Sequence, residues 1–216
     1  MSFFITFEGI EGCGKTTQIH LLKEFLESRG LKVVSTREPG GTLIGDKIRS
    51  ILLDSCNRKI ALKAELLLYQ AARAQHVKDV INPALKDGHV VICDRFSDAT
   101  LVYQGYAQGL SKDFIGLLNR FVTDTLIPDL TILIDCPVEI GLKRAQDRIA
   151  QTLDGPCEDR FEEKCLEFHQ AVRSGYLDIA DNDSTRFCIV DGSKDPSTVH
   201  SLIQSAVLTR IEEHSF

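Results

Sequence analysis

Five short apolar runs recur along this chain, and longer amphipathic stretches separate them. Each run is bounded by turn residues or charges and is rich in branched or aromatic side chains, which is typical of buried strands. The runs lie at residues 3–7, 31–34, 90–93, 130–134 and 187–190. After the first run, Ile19, Leu22, Phe25 and Leu26 recur at helical spacing. Further helices are predicted at residues 42–54, 60–86, 98–126 (as two helices), 137–149, 158–182 and 195–212.

This alternation of strands and helices predicts an α/β fold. Strands that are joined through helices form a parallel sheet, with helices on both faces and right-handed crossovers. We therefore expect a three-layer sandwich around a mostly five-stranded parallel sheet. The 216 residues suffice for one full core, and no repeat or linker divides them. We expect one domain over residues 1–216, with a short helical lid inserted at about 144–160, around Gly155 and Pro156.

A glycine-framed loop joins the first strand to the first helix. Residues 9–16 read Gly-Ile-Glu-Gly-Cys-Gly-Lys-Thr and match the phosphate-loop pattern G-x-x-x-x-G-K-[ST]. The glycines let backbone N–H groups turn towards an anion, and the following helix adds the positive end of its dipole. Lys15 would reach the β- and γ-phosphates, and the Thr16 hydroxyl would hold Mg²⁺. An ordinary glycine-rich turn is the alternative, but the order of strand, loop and helix favours a P-loop NTPase-type fold.

Composition narrows the class of protein. The formal net charge is −6, whereas nucleic-acid-binding surfaces carry a basic excess, so we expect no nucleic-acid partner. The seven cysteines are an odd number without a C-x-x-C pair or zinc-like spacing, which favours a reduced, cytoplasmic protein. No apolar stretch approaches the length of a membrane span, and we expect no membrane association. A small anionic substrate must then be bound by local arginines.

Asp94 and Arg95 directly follow the apolar run at residues 90–93. Ligands of open parallel sheets bind beyond the carboxyl ends of the strands, so we expect this pair to lie beside the phosphate loop. A carboxylate there can hold Mg²⁺, directly or through water, and an arginine can contact phosphate. A salt bridge that ends the strand is the alternative, and the nearby phosphate loop favours the functional interpretation.

Residues 36–42 read Thr-Arg-Glu-Pro-Gly-Gly-Thr and follow the second strand. The proline and the two glycines predict a tight turn before a helix, which Thr42 can cap. Arg37 and Arg49 can reach the phosphate of an acceptor, for which the planar guanidinium group is well suited. For Arg49, a solvated position on the surface is an equally good interpretation.

Two groups of side chains can recognise a nucleobase. Tyr69 and Arg73 are one helical turn apart, so an aromatic ring and a donor fork share one helix face. Because arginine only donates hydrogen bonds, Arg73 suits a ring carbonyl and favours thymine or uracil over cytosine. Core packing of Tyr69 and an ion pair of Arg73 are the alternatives. Thr100, Tyr103 and Gln104 lie on the next helix, and the Gln104 amide can read both an N–H and a carbonyl.

Taken together, the motifs resemble the bacterial thymidylate kinases, which transfer the γ-phosphoryl group of ATP to dTMP. The matching segments follow the family order over nearly the whole chain, and the Arg-Glu-Pro-Gly-Gly-Thr string is the most specific of them. They are residues 7–17, 36–42, 71–73, 94–96, 103–105, 128–131 and 159–162.

The resemblance implies two sets of binding residues. ATP is expected to contact Gly9, Ile10, Glu11, Gly12, Cys13, Gly14, Lys15, Thr16 and Thr17. The dTMP substrate is expected to contact Glu11, Arg37, Arg49, Tyr69, Arg73, Arg95, Thr100, Tyr103 and Gln104. The resemblance implies that Tyr69 stacks on thymine where the family usually has phenylalanine. It also implies that Arg73 bonds the base carbonyl, Tyr103 disfavours a 2′-hydroxyl, and Glu11 lies near the sugar 3′-hydroxyl and the metal.

The resemblance further implies a catalytic arginine outside the phosphate loop. Some family members carry this arginine in the loop and others in the lid, and the loop of this chain has none. Arg148 is therefore the first expectation, with Arg144 or Arg160 as the alternative. The expected catalytic set is Lys15, Asp94, Arg95 and Arg148, with Thr16 and Asp94 at Mg²⁺.

The acceptor phosphate is itself the nucleophile, because its second pKa near 6 leaves it mostly a dianion at neutral pH. Catalysis then depends on holding two anions in line and neutralising the charge on the moving phosphoryl group. The resemblance also implies a homodimer packed through helices. Two other functions stay open: a kinase of a different nucleoside monophosphate, and a GTP-binding switch, for which the guanine-selecting N-K-x-D stretch is missing.

Overall fold

The computed structural model describes residues 2–57, 59–151 and 164–214 of the chain. Within these ranges, five strands form one parallel sheet. They are β1 Phe3–Glu8, β2 Val33–Arg37, β3 Val90–Asp94, β4 Leu130–Asp135 and β5 Phe187–Asp191. The order across the sheet is β2-β3-β1-β4-β5. The predicted α/β fold with a five-stranded parallel sheet is confirmed.

Helices connect all the strands. The α-helices of the described residues are α1 Lys15–Ser28, α2 Leu43–Leu53, α3 Leu62–His76, α4 Asn82–Lys86, α5 Ser97–Thr100, α6 Lys112–Val122, α7 Val138–Gln151, α8 Leu166–Asn182 and α9 Pro196–His214. A π-helical turn, Val77–Ile81, joins α3 to α4, and a π-helical segment, Leu101–Ala107, continues α5. The predicted pair of helices over residues 98–126 is therefore present. None of the described helices combines the length and the apolar composition that a membrane span requires.

The second strand begins later than the apolar run at residues 31–34 predicts. Helix α1 is closed by Gly30, whose φ of 81° is the left-handed conformation common at helix ends. The N–H of Leu31 donates to the carbonyl of Leu26 at 3.2 Å, and the Leu31 side chain packs against the core. Leu31 therefore covers the end of the helix, and the strand starts at Val33.

The hydrophobic core lies on both faces of the sheet, because successive side chains of a strand point to opposite faces. On β1, Phe3, Ile5 and Phe7 pack in the larger cluster, whereas Phe4 packs in a smaller cluster with Phe96. Every residue of β1 is buried, as expected for a central strand that is covered on both sides.

Each strand ends in a charged residue at the same edge of the sheet. These residues are Glu8, Arg37, Asp94, Asp135 and Asp191. The parallel register pairs Asp94 with Phe7 on one side and with Arg37 on the other. Four of the apolar runs therefore continue one residue further as strand than predicted, since the ladder extends into the charged position. The loop after β1 leaves the sheet at this edge.

Candidate active site

A cavity of about 990 Å³ lies at the charged edge of the sheet. It brings together most of the residues that the sequence singles out. From the loop and α1 it is lined by Glu11, Gly12, Cys13, Gly14, Lys15, Thr16 and Thr17. From other elements it is lined by Arg37, Arg49, Tyr69, Arg73, Asp94, Arg95, Thr100, Tyr103, Gln104 and Arg148. Two residues of the expected ATP set, Gly9 and Ile10, form the buried start of the loop and do not line the cavity.

The phosphate loop has a backbone that only glycine tolerates at a key position. Gly12 has a φ of 68°, and a Cβ atom built on it would lie 2.0 Å from the carbonyl oxygen of Gly141 in α7. Helix α1 begins at Lys15, after Gly14 in a left-handed conformation with a φ of 105°. Because Gly14 has no side chain, it cannot cap the N–H groups of the first helical turn. These donors and the positive helix end are suited to bind an anion.

Lys15 is held inside the loop at the cavity wall. Its ammonium group donates to the carbonyl oxygens of Ile10 at 2.9 Å and Gly9 at 3.1 Å. Gly9 and Ile10 therefore position the lysine, whereas the sequence placed them in direct contact with the nucleotide. The side chain of Lys15 is nearly buried, so its charge acts in a poorly solvated environment.

Asp94 and Thr16 supply oxygen atoms of the kind that Mg²⁺ prefers. The Oδ1 atom of Asp94 is buried and has no hydrogen-bond partner among the described residues, whereas Thr16 is exposed in the cavity. No group of three or more acidic, histidine or cysteine side chains in the described ranges forms a metal cage. Mg²⁺ in phosphoryl-transfer sites uses one or two protein oxygens plus phosphate and water, so the residues fit this ion.

Glu11 is the centre of a polar cluster at the floor of the cavity. Its Oε1 atom accepts hydrogen bonds from Arg95 Nη2 at 3.0 Å and from the Tyr103 hydroxyl at 2.5 Å. His169 Nδ1 lies 3.5 Å from the other oxygen, Oε2, which accepts no hydrogen bond from the described residues. Burial raises the pKa of Glu11, but Arg95, His169, Lys15 and Tyr103 outweigh it and lower the pKa to about 2.

Arg95 reaches this cluster through an unusual backbone conformation. Its φ of 69° is left-handed, which costs a residue with a Cβ atom about 1–2 kcal/mol, and its N–H donates to Phe7 O at 2.9 Å. The guanidinium lies between Glu11 and the hydroxyl of Tyr176, 3.0 Å from each, and 4.8 Å from the ring centre of Tyr103. Burial disfavours its charge, but Tyr103, Tyr176 and Glu11 keep the pKa of Arg95 well above its ordinary value.

Arg73 is fixed in a dense network of hydrogen bonds. Its Nε donates to Glu38 Oε2 at 2.7 Å, Nη1 to Asn119 Oδ1 at 2.9 Å, and Nη2 to both Phe96 O and Thr100 Oγ1 at 2.9 Å. These bonds use four of its five N–H groups and leave one on Nη1. Arg73 therefore forms the ion pair that the sequence left open as an alternative, with Glu38, and it also lines the cavity.

Tyr69 and Gln104 form another part of the same wall. Tyr69 is half-buried and packs against the main core, so core packing and exposure to the cavity coexist. Gln104 is 2% exposed. Its Nε2 donates to Glu65 Oε1 at 2.9 Å, and Gln108 Nε2 donates to the same oxygen at 2.8 Å.

The remaining two arginines lie on either side of the turn after β2, Arg37 at the end of β2 and Arg49 on α2. Arg49 Nη1 donates to Pro39 O at 3.1 Å, so this arginine ties α2 to the turn and is half-buried. Arg37 is exposed, with Nη2 4.0 Å from Asp46 Oδ1. The predicted cap is confirmed, because the hydroxyl of Thr42 accepts the N–H of Gly45 at 2.9 Å.

The arginines considered for the lid differ in their surroundings. Arg144 Nη1 donates to Gly192 O at 2.8 Å, which ties α7 to the loop after β5. Arg148 lies one turn further along α7, and both arginines are exposed and line the cavity. Arg160 and the expected lid segment at residues 152–160 lie outside the described residues.

Several residues of the site carry no signal that sequence reasoning used. They are His76, Asn119, His169 and Tyr176, and each contacts a charged group from a distant part of the chain. His76, for example, places Nδ1 2.9 Å from Glu38 Oε1 and Nε2 2.6 Å from Thr36 Oγ1. Glu38 belongs to the Arg-Glu-Pro-Gly-Gly-Thr string, so the motif marked this position as important. The motif did not show that Glu38 binds Arg73 and His76.

Known proteins match this chain over nearly its whole length. The model of the thymidylate kinase family matches residues 7–203. A thymidylate kinase of Geotalea daltonii is 56% identical over 98% of this chain and 99% of its own. One from Pelobacter propionicus is 57% identical over 96% and 94%, respectively. The crystal structure of thymidylate kinase from Ehrlichia chaffeensis is 38% identical, covers 96% of this chain and 98% of its own, and has a TM-score of 0.76.

Proposed function

Because the chain belongs to the thymidylate kinase family, we propose that its cavity holds ATP and dTMP with their phosphates facing each other. The enzyme is an ATP-dependent nucleoside monophosphate kinase that converts ATP and dTMP into ADP and dTDP. The family favours dTMP over a different monophosphate and over a GTP-binding switch. One observation supports the placement: the same cavity is lined by the phosphate loop and by a cluster of arginines.

The donor nucleotide binds at the phosphate loop. The N–H groups at the start of α1 and the helix dipole attract the β- and γ-phosphates of ATP. Lys15, which now donates to two loop carbonyls, lies close enough to turn its ammonium group towards these phosphates. Its low exposure strengthens that attraction, because little water screens the charge.

The acceptor nucleotide binds on the opposite wall. Arg37, Arg49 and Arg95 surround its phosphate, and their forked donors match phosphate oxygens. Tyr69 stacks on the thymine ring, and the free N–H of Arg73 donates to the base carbonyl. That carbonyl distinguishes thymine from cytosine, which has an amino group at the same position.

Tyr103 and Glu11 contact the sugar. The Tyr103 hydroxyl is tied to Glu11, so the ring is fixed and a 2′-hydroxyl would crowd it. Glu11 lines the cavity, and its carboxylate can accept a hydrogen bond from the 3′-hydroxyl. With its pKa lowered to about 2, Glu11 stays ionised and therefore accepts at neutral pH.

Mg²⁺ would be held by Thr16 and Asp94, directly or through water. When bound, the ion would supply positive charge that neutralises the phosphates. The protein needs no strong base, since the dTMP phosphate is already mostly a dianion at neutral pH. Its own contribution is to align the two anions and to stabilise charge on the moving phosphoryl group through Lys15, Arg95 and an arginine near the lid.

Arg148 is the arginine best suited to act from the lid side. Arg144 and Arg148 both line the cavity, and Arg144 also donates to the carbonyl of Gly192. Arg148 lies one helical turn further along α7 and is therefore nearer in sequence to Gly155 and Pro156 of the proposed lid. We assign the lid to about residues 144–160 of a single domain over residues 1–216. Closure of this segment would exclude water, which could otherwise accept the phosphoryl group and waste ATP.

A second copy of the chain is the proposed partner of helix α6. Phe114, Leu117 and Phe121 form an apolar stripe on α6 and are 52%, 56% and 78% exposed. Helix α3 packs beside α6 and adds Leu67, which is 55% exposed. Contiguous exposed apolar side chains mark interaction surfaces, and the family resemblance implies a homodimer packed through helices.

We place the enzyme in the cytoplasm. The described cysteines are all free thiols, as proteins of a reducing compartment usually have.

A panel of acceptors tests the proposed placement of dTMP. The purified enzyme is incubated with ATP, Mg²⁺ and, separately, dTMP, dUMP, dCMP or dGMP, and the diphosphate products are measured. We expect dTMP to have the highest kcat/KM and dCMP to be poor, because Arg73 cannot accept from an amino group. The Lys15→Ala variant, prepared in parallel, reports any contaminating host kinase. Preference for dCMP would overturn the assigned base contacts.

A further inference from the structure

Glu65 on α3 is completely buried behind the part of the wall that carries Gln104. Its exposure is 0%, and it does not line the cavity. Two side-chain amides, those of Gln104 and Gln108, donate to its Oε1 atom at 2.9 and 2.8 Å. Gln104 does line the cavity. A buried carboxylate therefore contacts the predicted base-reading residue from the side away from the substrate.

This contact decides which end of the Gln104 amide faces the cavity. A carboxylate oxygen accepts hydrogen bonds, so the amide must direct its NH₂ group towards Glu65. Its carbonyl oxygen, Oε1, then points away from Glu65. That oxygen accepts no hydrogen bond from the described residues, and it is not among the buried polar atoms without a partner. It is therefore accessible from the cavity.

We propose that Glu65 is a positioning residue that fixes the Gln104 amide as a hydrogen-bond acceptor for the base. The inference rests on the proposed placement of the dTMP base beside Gln104. Thymine carries a hydrogen on N3 and can donate to Gln104 Oε1. Cytosine has a lone pair on N3, which would face the same oxygen and be repelled.

Glu65 thus removes an ambiguity that the glutamine alone would leave. A free glutamine amide can turn over and offer either a donor or an acceptor. With the amide fixed, the wall presents an acceptor from Gln104 and a donor from Arg73. This pair complements the N3–H and the neighbouring carbonyl of thymine and matches neither group of cytosine.

The Glu65→Gln variant tests the inference with almost no change of shape. The introduced amide can offer either its oxygen or its NH₂ group, so the Gln104 amide is free to turn over. We expect the KM for dTMP to rise about tenfold, as for one lost hydrogen bond. We also expect the ratio of kcat/KM for dTMP to that for dCMP to fall about tenfold. The kcat and the KM for ATP should stay within about twofold, since neither depends on reading the base.

Two further variants separate positioning from a general structural role. Gln108→Ala removes the other donor to Glu65 without touching Gln104, and its kinetic constants should match those of the wild type. Combining Glu65→Gln with Gln104→Glu reverses the direction of the buried bond but again presents an acceptor oxygen to the base. The double variant should therefore recover most of the preference for dTMP over dCMP. Thermal unfolding of each variant verifies that it is folded.

Two results would overturn the inference. One rejects only the role of Glu65, and the other also rejects the proposed placement of dTMP. If Gln104→Leu raises the KM for dTMP but Glu65→Gln changes neither the KM nor the dTMP preference, Glu65 does not position the amide. If Gln104→Leu also leaves the KM for dTMP at the wild-type value, the base does not lie beside Gln104, and the proposed placement of dTMP fails with it.

Discussion

Four buried or partly buried glutamates hold the polar side chains of the site in fixed directions. Each carboxylate contacts at least two groups, at least one of them distant in the sequence, and three of the four fix a predicted dTMP contact: Arg95 and Tyr103, Arg73, or Gln104. The four are Glu8, Glu11, Glu38 and Glu65. A buried carboxylate requires such partners because water no longer solvates it. The substrate-facing side chains then lose little freedom on binding, which favours tight and selective recognition.

Glu8 differs from the others because its folded environment favours the protonated form. Burial and the nearby charge of Asp98 raise the pKa of Glu8 to about 7 from 4.5, although Arg95, the Tyr176 hydroxyl and the Phe96 N–H lower it. Between these two pH values, the folded protein keeps a proton that the unfolded chain has lost. The stability contributed by this proton is fully present below about pH 4.5 and is lost as the pH rises through 7.

The Glu8→Gln variant should remove this pH dependence, because an amide does not titrate in this range. We expect the free energy of unfolding of the wild type to fall, relative to the variant, by about 2–3 kcal/mol between pH 5 and pH 8. Urea unfolding at equal protein concentration across that range measures the difference. Curves that run parallel for both proteins would contradict the raised pKa.

The π-helical segment Leu101–Ala107 shapes the wall where Tyr103 and Gln104 lie. It continues α5 directly, and its end is marked by a bond from Leu110 N to Gln104 O at 3.0 Å. Such wide turns are often found at functional sites, since they redirect side chains that a regular helix would place elsewhere. The sequence pattern predicts a helix here, but it carries no signal for the wider turn.

Helix α7 is expected to carry the charge-stabilising arginine from the lid side. Arg148→Ala should lower the single-turnover rate about a hundredfold or more, because a preorganised cation at the moving phosphoryl group is lost. The Kd for dTMP should change less than about threefold, since the base and phosphate contacts lie on other elements. Rapid-quench kinetics and equilibrium binding measure the two quantities.

Lys143→Ala is the matched control, because Lys143 is an exposed cation of the same helix that does not line the cavity. Its rate should equal that of the wild type. If Arg148→Ala turns over normally and Arg160→Ala or Arg144→Ala shows the rate loss instead, the assignment to Arg148 is wrong.

Across the molecule, the sheet order explains why two nucleotides can share one cavity. The central position of β1 puts the phosphate loop next to the ends of β3 and β4, and β3 lies between β1 and β2. Arg95 after β3, Arg37 at the end of β2 and Arg49 on α2 therefore lie on one side of the loop. Helix α7 and the loop after β5 stand on the other. Donor and acceptor sites meet at the edge where the strands end.

The apolar stripe on α6 lies away from this cavity, and none of its residues lines it. We expect the wild type to sediment as a dimer, at twice the 24.1 kDa of one chain. Phe121→Glu should shift it towards the monomer, because a carboxylate buried in an apolar interface has no partner. Sedimentation velocity at micromolar concentration provides the measurement.

Leu202→Glu provides the control for this experiment. Leu202 is 45% exposed on α9, outside the α6 stripe, so its replacement should leave the sedimentation coefficient unchanged. A wild type that sediments as a monomer, or a Phe121→Glu variant that remains a dimer, would reject α6 as the interface.

Features that depend only on residues close together in the sequence were predictable from the sequence alone. The apolar runs gave the five strands, the glycine-framed motif gave the phosphate loop, and the position of Thr42 gave the helix cap. The resemblance added the substrate and most of the residues that now line one cavity. These predictions succeeded because strand alternation, helical spacing and turn chemistry are local properties of a few consecutive residues.

Other features arise only when distant segments pack together. Glu8 and Tyr176 are 168 positions apart, and Glu65 and Gln104 are 39 positions apart, yet each pair forms a buried hydrogen bond. The later start of β2 likewise results from Leu31 covering the end of α1. A polar group that is buried on folding forms a hydrogen bond with another polar group that is buried beside it. Which polar groups are buried beside each other depends on the packing of the whole chain, and no periodicity in the sequence predicts it.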